Sequence, residues 1–455
     1  MRLWHRGAKS YWWDELAAID LSTRTPLAIV TNAQETNPPL YYLGLHAWTA
    51  LFGTGELAAR LPSALFGVLA AALAGWFGRL AAGRRVGWFC LAFLAVSPMA
   101  IQWSQNARAY APYLCATLAA SCCYLRWLRT GRASWAAGTA LSLSLSAWLH
   151  HYWVFHFAAL QLHALSLALR GRLRLRAWLA LSAAVIISFL PWLGVVLTQA
   201  ARIQREGFWI GRPGVGAVEA TLRTFMLSPD LSHRLSLAYV ALAALGLVRF
   251  RRGTLLPSAP APRRRAALLP ALVFVCPIAL PVLWSLVRQP IFMDRYAIAA
   301  LPAFLVLVGR GLVSLPLRPL RAPVTAVVFA LALAALPAWY ASVVEDWRGL
   351  CATIARASRD GDEVFIATGL EHWGLHYPTG AARITYVGES GRAQPAALPR
   401  PDHCVHGFLV MRQGTLSPDE PTRASFAQAN PGLVFTAIEG FGPNLSLTRF
   451  DCLPR

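Results

Sequence analysis

The stretch LAARLPSALFGVLAAALAGWFGRLAAGRRVGWFCLAFLAVSPMAI, residues 57–101, decides the fold class of this chain. It contains two apolar segments, at residues 57–78 and 86–101, with Arg79, Arg84 and Arg85 between them and no acidic residue. Both segments approach the ~20 residues that a helix needs to cross the hydrocarbon core of a bilayer. The stretch therefore predicts two membrane-spanning helices joined by a basic loop.

The same pattern continues through the middle of the chain. Further apolar segments lie at residues 108–128, 135–151, 153–169, 177–198, 232–250, 267–288, 295–313 and 323–340. Between Leu57 and Tyr340 the acidic residues are only Glu206, Glu219, Asp230 and Asp294. The chain has 455 residues and is 56% hydrophobic, which is too apolar for a soluble domain of this size. We predict an α-helical polytopic membrane protein with about ten spanning helices.

The positive charge of the chain is arranged by loop. The formal net charge is +21, and every basic residue except Lys9 is an arginine. The arginines fall in alternate short loops between apolar segments, which argues against nucleic-acid binding and follows the positive-inside rule. These loops contain Arg79, Arg84 and Arg85; Arg126, Arg129 and Arg132; Arg170 to Arg176; Arg249 to Arg265; and Arg310, Arg318 and Arg321. The rule places them in the cytoplasm, and hence residues 1–56 and 341–455 outside it.

The predicted topology divides the chain into three parts. Residues 1–56 form an outer loop with short interfacial helices, and residues 57–340 form the transmembrane domain. Because residues 1–10 contain no apolar segment, we expect a further helix ahead of them to place the loop outside. Residues 341–455 form a small extracytoplasmic α/β domain. Its predicted strands are 363–367, 383–387, 407–411, 433–438 and 445–450, with helices at 346–358 and near 371–377 and 419–428.

The outer loop carries an acidic pair behind an aromatic run, Tyr11-Trp12-Trp13-Asp14-Glu15. A carboxylate that is partly desolvated at the membrane surface becomes a better base and suits general-base catalysis. The alternative is a solvated helix start, where the helix dipole favours Asp and Glu in the first turn. The residues alone support these two interpretations about equally.

A second candidate site is the outer turn Gln105-Asn106-Ala107-Arg108-Ala109-Tyr110, in which Arg108 is the only basic residue. A guanidinium at the mouth of a span can bind a lipid-linked phosphate through two parallel hydrogen bonds. The alternative is an arginine whose head group reaches ordinary lipid headgroups.

The order of these motifs resembles the GT-C glycosyltransferases, among them the protein O-mannosyltransferases, the aminoarabinose transferases and bacterial family-39-like enzymes. The resemblance rests on Trp12 to Glu15, on Asn37-Pro38-Pro39-Leu40-Tyr41-Tyr42, on Glu56 to Ser63, and on Gln105 to Tyr110. His150-His151-Tyr152, Asp294-Arg295-Tyr296 and Asp346-Trp347-Arg348 also recur in bacterial members. Asn37 stands where many relatives have His.

The resemblance implies transfer of a sugar from a polyprenyl-phosphate-linked donor to a hydroxyl of a glycan, lipid or protein acceptor. It implies Asp14 as general base with Glu15 assisting it. Arg108 and Tyr110 lie near the donor phosphate, with Arg295 as a second contact. Asn37, Tyr41 and His151 are candidates for the substrate pocket. No cofactor and no metal is expected, because a lipid phosphate is an adequate leaving group. The partners are then the donor, membrane lipids and the acceptor, in a bacterial inner membrane with the active site facing outward.

A transporter or lipid flippase is the alternative, since it shares the spans and the basic loops. Such a protein typically has ionisable groups at mid-membrane or broken half-helices. No carboxylate lies within any predicted span, which argues against ion-coupled transport.

Overall fold

A computed structural model describes residues 7–226, 233–255, 268–341, 345–366, 376–380, 382–386, 406–412, 421–429, 432–443 and 445–452. The chain forms two compact units. The helical unit comprises Arg24–Gly53 and Ala58–Tyr340. The sheet unit comprises residues 7–23, Thr54–Leu57 and the described part of residues 341–455. Residues 7–23, which precede the transmembrane segments, thus group with the tail.

The helices are numbered in chain order. They are α1 Trp13–Ser22, α2 Pro26–Val30, α3 Leu40–Phe52, α4 Glu56–Ala82, α5 Arg84–Val96, α6 Pro98–Ser104, α7 Tyr110–Thr130, α8 Ala133–Leu149, α9 Trp153–Ala168, α10 Leu175–Phe189, α11 Leu193–Glu206, α12 Val215–Phe225, α13 His233–Leu255, α14 Leu269–Val287, α15 Leu301–Val313, α16 Arg321–Ala341, α17 Trp347–Ala357 and α18 Pro421–Ala429. Short 3-10 segments at Leu190–Trp192, Asp294–Ala300 and Arg318–Leu320 precede α11, α15 and α16.

Among the residues that the structure describes, five helical stretches are long and apolar enough to cross a membrane. They are Glu56–Ala82, Leu175–Glu206, Leu269–Val287, Asp294–Val313 and Arg318–Ala341. A sixth is obtained if α5 and α6, which meet at a bend of 59°, form one span. The bend follows from Ser97, whose hydroxyl accepts from the Ala100 N–H and caps α6, and from Pro98 at the first helical position. The chain is an integral membrane protein, and the count of about ten spans stays a prediction.

The core of the helical unit lies around α7 and α15, which are buried along most of their length. Helix α15 packs against α13 with the two backbones in close approach. At Gly246 and at Gly311 a side-chain carbon would collide with a carbonyl of the facing helix, at Leu307 and Leu242 respectively. Glycine is therefore required at both positions.

The sheet unit contains a mixed sheet of five strands in the order β2-β1-β3-β5-β4. The strands are β1 Glu363–Ile366, β2 Arg383–Tyr386, β3 Gly407–Arg412, β4 Leu433–Gly440 and β5 Leu445–Cys452. Strand β1 is parallel to β2 and β3, whereas β5 is antiparallel to β3 and β4. All five predicted strands are confirmed, and α17 and α18 confirm two of the predicted helices. The third, near 371–377, lies mainly outside the described residues.

The hydrophobic core of the sheet unit is aromatic. Phe365, Phe426 and Phe450 pack together with Leu409 and Met411, and each of these side chains is at most 2% exposed. The core contains residues of β1, β3, β5 and α18, so that one helix covers the sheet centre. This is the small C-terminal α/β domain that the sequence predicts.

Candidate active site

Two arginines of the helical unit approach the same helix end from distant parts of the chain. Arg108 lies in the turn between α6 and α7, two residues before Tyr110, the first residue of α7. Arg295 lies in the 3-10 segment that precedes α15, and this segment packs against α7. The Arg295 Nε donates a hydrogen bond to the Tyr110 hydroxyl at 3.1 Å. Three predicted phosphate-binding residues are thereby brought together.

Aromatic rings surround the Arg295 guanidinium. Its central carbon lies 6.0 Å from the ring centroid of Trp103, 5.3 Å from that of Trp209 and 5.4 Å from that of Tyr296. The negative electrostatic potential of the aromatic faces stabilises the positive charge of the guanidinium at this position.

The backbone of Arg108 is held by the Ser63 hydroxyl, which in turn contacts the hydroxyl of Tyr41. The Ser63 Oγ donates to the Arg108 carbonyl oxygen at 3.2 Å and lies 3.1 Å from the hydroxyl of Tyr41. The side chain of Arg108 is 7% exposed, and its guanidinium carbon lies 5.9 Å from the Tyr42 ring centroid. Tyr41, a predicted pocket residue, therefore supports the turn that carries Arg108.

Glu35 is the residue of this region that sequence reasoning missed. One of its carboxylate oxygens, Oε2, lies 3.8 Å from a terminal nitrogen of Arg108. The other, Oε1, accepts from the Asn37 backbone N–H at 2.9 Å and from the Asn37 side-chain amide at 2.7 Å. Glu35 also hydrogen-bonds Tyr42. Asn37 thus acts on the site through Glu35, which it holds beside Arg108.

A sequence signal for Glu35 did exist. It is an acidic residue immediately ahead of the Asn37-Pro38-Pro39 motif, within a loop predicted to lie at the membrane surface. Glu35 lies before Leu57 and apart from the Asp14-Glu15 pair, so neither the rarity of carboxylates in the apolar segments nor the aromatic-acidic motif marks it.

His151 lies in the turn between α8 and α9, close to the loop that carries Glu35 and Thr36. Its ring hydrogen-bonds the Thr36 backbone and the Gln199 side chain, and stacks on Trp192 with centroids 5.6 Å apart. Gln199 also donates to the Glu35 carbonyl oxygen at 2.5 Å. Burial lowers the pKa of His151 to about 4, so the ring is neutral at physiological pH. His151 joins the loop to α11 as a neutral hydrogen-bonding group.

Asp14 and Glu15 lie in the first turn of α1, in the sheet unit. Glu15 is 1% exposed, and its Oε2 accepts from the Trp12 backbone N–H at 3.4 Å. This is the reciprocal contact by which a third-position glutamate stabilises a helix start. Asp14 is partly exposed. Of the two carboxylates, Asp14 is therefore the one with access to solvent.

The N-terminus of α1 is anchored by a buried carboxylate from the far end of the chain. The Glu345 Oε2 accepts from the Trp13 backbone N–H at 2.9 Å and from the Trp347 indole at 2.8 Å. The Glu345 Oε1 accepts from the Arg412 Nε at 2.7 Å. The helix that carries Asp14 is thus bound to α17 and to β3.

Among the described residues, no group of three or more His, Cys, Asp and Glu side chains is arranged to hold a metal ion. The candidate site of the helical unit consists of cations, tyrosines and one carboxylate, which is the composition expected for binding a phosphate.

Comparison with models of protein families finds no match, and comparison with curated proteins finds none. Comparison with solved structures does find similar proteins. ArnT from Cupriavidus metallidurans in the apo state is 15% identical and has a TM-score of 0.59, over 97% of this chain and 93% of ArnT. The same protein bound to undecaprenyl phosphate also gives 15% identity and a TM-score of 0.59, over 98% of this chain and 96% of ArnT.

An apo oligosaccharyltransferase from Archaeoglobus fulgidus is similar at 13% identity, with a TM-score of 0.51, over 90% of this chain and 67% of that protein. At these identities the likeness concerns the fold. The chain has the GT-C fold, of the kind seen in ArnT, and the predicted fold class is confirmed.

Proposed function

We propose that this protein is a membrane glycosyltransferase that moves a sugar from a polyprenyl-phosphate-linked donor to a hydroxyl acceptor. The observation that carries the proposal is the pair Arg108 and Arg295, which the fold brings to the start of α7 although they are far apart in the sequence. An ArnT structure with this fold contains undecaprenyl phosphate, which supports a polyprenyl phosphate as the bound group.

The proposed reaction is an attack of the acceptor hydroxyl oxygen on the anomeric carbon of the donor sugar. The bond between that carbon and the phosphate oxygen breaks, and its electron pair remains on the phosphate. Asp14 accepts the proton of the attacking hydroxyl. Arg108 and Arg295 stabilise the charge that develops on the leaving phosphate, which is the differential binding that lowers a barrier.

Glu35 has a different role in this proposal. Its Oε2 faces Arg108 at 3.8 Å, while Asn37 holds its Oε1. A fixed carboxylate on one side of a guanidinium orients the remaining N–H donors toward a phosphate on the other side. Glu35 therefore orients Arg108, and its negative charge does not contact the donor.

The positive-inside arrangement of the arginine loops supports an active site that faces out of the cytoplasm, in a bacterial inner membrane. The acceptor is then a glycan, lipid or protein hydroxyl on that side.

The donor site is tested by titrating a polyprenyl-phosphate sugar against wild-type enzyme and Arg108 variants in detergent. We expect Arg108→Ala to weaken donor binding and slow turnover together, because one charge serves both the ground state and the leaving group. Arg108→Lys rescues only part of the loss, since an ammonium cannot form two parallel hydrogen bonds. Arg174→Ala, in a predicted cytoplasmic loop, is the matched control and leaves both parameters unchanged.

If Arg108→Ala has the donor affinity and kcat of the wild type, Arg108 is a lipid-headgroup anchor and the proposed donor site is wrong.

A further inference from the structure

His150 presents a buried hydrogen-bond donor for which the described residues offer no acceptor. It follows the last residue of α8 and is 2% exposed. Its Nδ1 accepts from the Tyr152 backbone N–H at 3.1 Å. A neutral imidazole that accepts at Nδ1 carries its proton on Nε2. Within the described part of the chain, nothing hydrogen-bonds that Nε2.

Tyr113 presents a second donor of the same kind beside it. Its side chain is 0% exposed, and no described residue hydrogen-bonds its hydroxyl. The Tyr113 ring stacks on the His150 ring, with centroids 5.1 Å apart and planes 28° from parallel. An unpaired buried polar group destabilises the folded state, and in native proteins such groups need an explanation. Two adjacent ones point to a ligand that accepts hydrogen bonds.

Both donors lie next to the proposed donor site. Tyr113 is one helical turn along α7 from Tyr110, and the His150 ring lies 5.6 Å from the Tyr110 ring and 5.0 Å from the Tyr296 ring. Tyr110 and Tyr296 are also contacts of the Arg295 guanidinium. The pKa of His150 lies well below its usual value, mainly because the ring is buried and then because of the charges of His151, Arg108 and Arg295. His150 is thus a neutral donor close to two cations.

We propose that the His150 Nε2–H and the Tyr113 O–H donate hydrogen bonds to the oxygens of the donor phosphate, next to the two arginines. The inference rests on the proposed function and adds two residues to its donor site. The described groups next to these two hydroxyl and imidazole donors include the cations Arg108 and Arg295, so an anion with several acceptor oxygens is the occupant that fits them. When the glycosidic bond breaks, the electron pair stays on the phosphate, and these hydrogen bonds strengthen as its charge increases.

The experiment uses the whole protein in detergent and measures its affinity for polyprenyl phosphate and, separately, for the corresponding polyprenol. The polyprenol has the same chain without the phosphate. Tyr113→Phe removes only the unpaired hydroxyl, so we expect the unliganded protein to remain as stable as the wild type or to become more stable. Its affinity for polyprenyl phosphate falls by about threefold to tenfold, as for the loss of one neutral hydrogen bond. The affinity for polyprenol is unchanged. His150→Phe, which keeps a ring and has no hydrogen-bond donor, gives a loss of similar size.

Tyr124→Phe is the matched control. Tyr124 lies on the same helix and is 0% exposed, but its hydroxyl is paired with the His163 Nδ1 at 2.9 Å. We expect this variant to lower the unfolding temperature and to bind polyprenyl phosphate as the wild type does.

Three results would overturn the inference. The first is wild-type affinity for polyprenyl phosphate in both Tyr113→Phe and His150→Phe while Arg108→Ala loses it, which leaves the proposed function standing. The second is an equal loss of affinity for polyprenyl phosphate and polyprenol. The third is a wild-type protein that does not distinguish the phosphate from the alcohol, which would overturn the proposed function as well.

Discussion

Neighbouring carboxylates at the start of α1 have different environments. Glu15 is buried and accepts from the backbone of Trp12, whereas Asp14 is partly exposed. A general base must reach its substrate, and a capping group must remain in place. This difference supports the proposed proton-accepting role of Asp14, whereas the contact of Glu15 with Trp12 stabilises the helix start.

We expect Asp14→Asn to reduce the rate of sugar transfer by about 10²–10⁴-fold, the usual effect of losing a general base. Donor binding is retained, because an amide of the same shape replaces the carboxylate. Glu15→Gln keeps an acceptor for Trp12 and lowers the rate much less. Single-turnover transfer and donor titration on the same samples measure both effects. Near wild-type turnover by Asp14→Asn would end its assignment as the base.

His151 predicts a pH dependence of stability. Its pKa is about 4 in the folded protein, below the value of about 6.5 in an unfolded chain. The unfolded state therefore binds the proton more tightly, so the stabilisation is complete above pH 6.5 and is lost as the pH falls toward 4. We expect the unfolding temperature to decrease between pH 7 and pH 5, and His151→Gln to reduce that decrease. His46→Gln serves as control, and an equal pH dependence in both variants and the wild type contradicts the prediction.

At the scale of elements, the position of α1 depends on the sheet unit. Glu345, Arg412 and Trp347 converge on the first residue of the helix, and the Glu345 side chain is 0% exposed. A buried ion pair is not in itself strongly stabilising, but removing one partner leaves the other charge buried without compensation. The tail domain thus supports the helix that carries the proposed base.

We expect Glu345→Gln to lower the free energy of unfolding by about 3–5 kcal/mol, the typical cost of breaking a buried pair. Turnover falls as well, because the start of α1 is no longer held. Glu439→Gln breaks the exposed pair of Glu439 with Arg449, whose side chains are 41% and 35% exposed, and costs at most about 1 kcal/mol. Chemical unfolding of the purified variants measures the difference. Equal effects would show that Glu345 does not anchor the helix.

At the scale of the whole molecule, the arginine loops predict which parts of the chain share a side of the membrane. Cysteines at Arg84 and in the tail should be labelled from opposite sides, with the tail accessible from outside. Gly380 is a poor tail position, since its φ is +71° and a side-chain carbon would lie 2.8 Å from the Ser358 Oγ. Asp360 lies in an exposed turn and is the better choice.

Arg84→Cys and Asp360→Cys are treated in intact cells with an impermeant thiol reagent, before and after permeabilisation. We expect Asp360→Cys to react in intact cells and Arg84→Cys only after permeabilisation. The unmodified protein gives the background from its native cysteines. Labelling of both variants under the same condition would overturn the topology.

Much of the fold follows from local pattern. Apolar segments, arginine loops and alternating strands are properties of neighbouring residues, and so most helices of residues 57–340 and the strands β1 to β5 could be predicted from the sequence. Helix α12 and the break between α5 and α6 were not predicted, although Ser97-Pro98 has the residues of a helix start. Asp14 and Arg108 could be selected because each is a rare charge in its surroundings, whereas Arg295 was indicated by the family resemblance.

The tertiary structure alone decided what these charges contact. Arg295 and Tyr110 are 185 residues apart in sequence, and their hydrogen bond exists only because the segment before α15 packs on α7. Three further features have the same origin. They are the contact of Glu35 with Arg108, the anchoring of α1 by Glu345, and the donors of His150 and Tyr113 that have no partner among the described residues. Each depends on packing between elements that are distant in the chain, and the local periodicity of a sequence does not predict such packing.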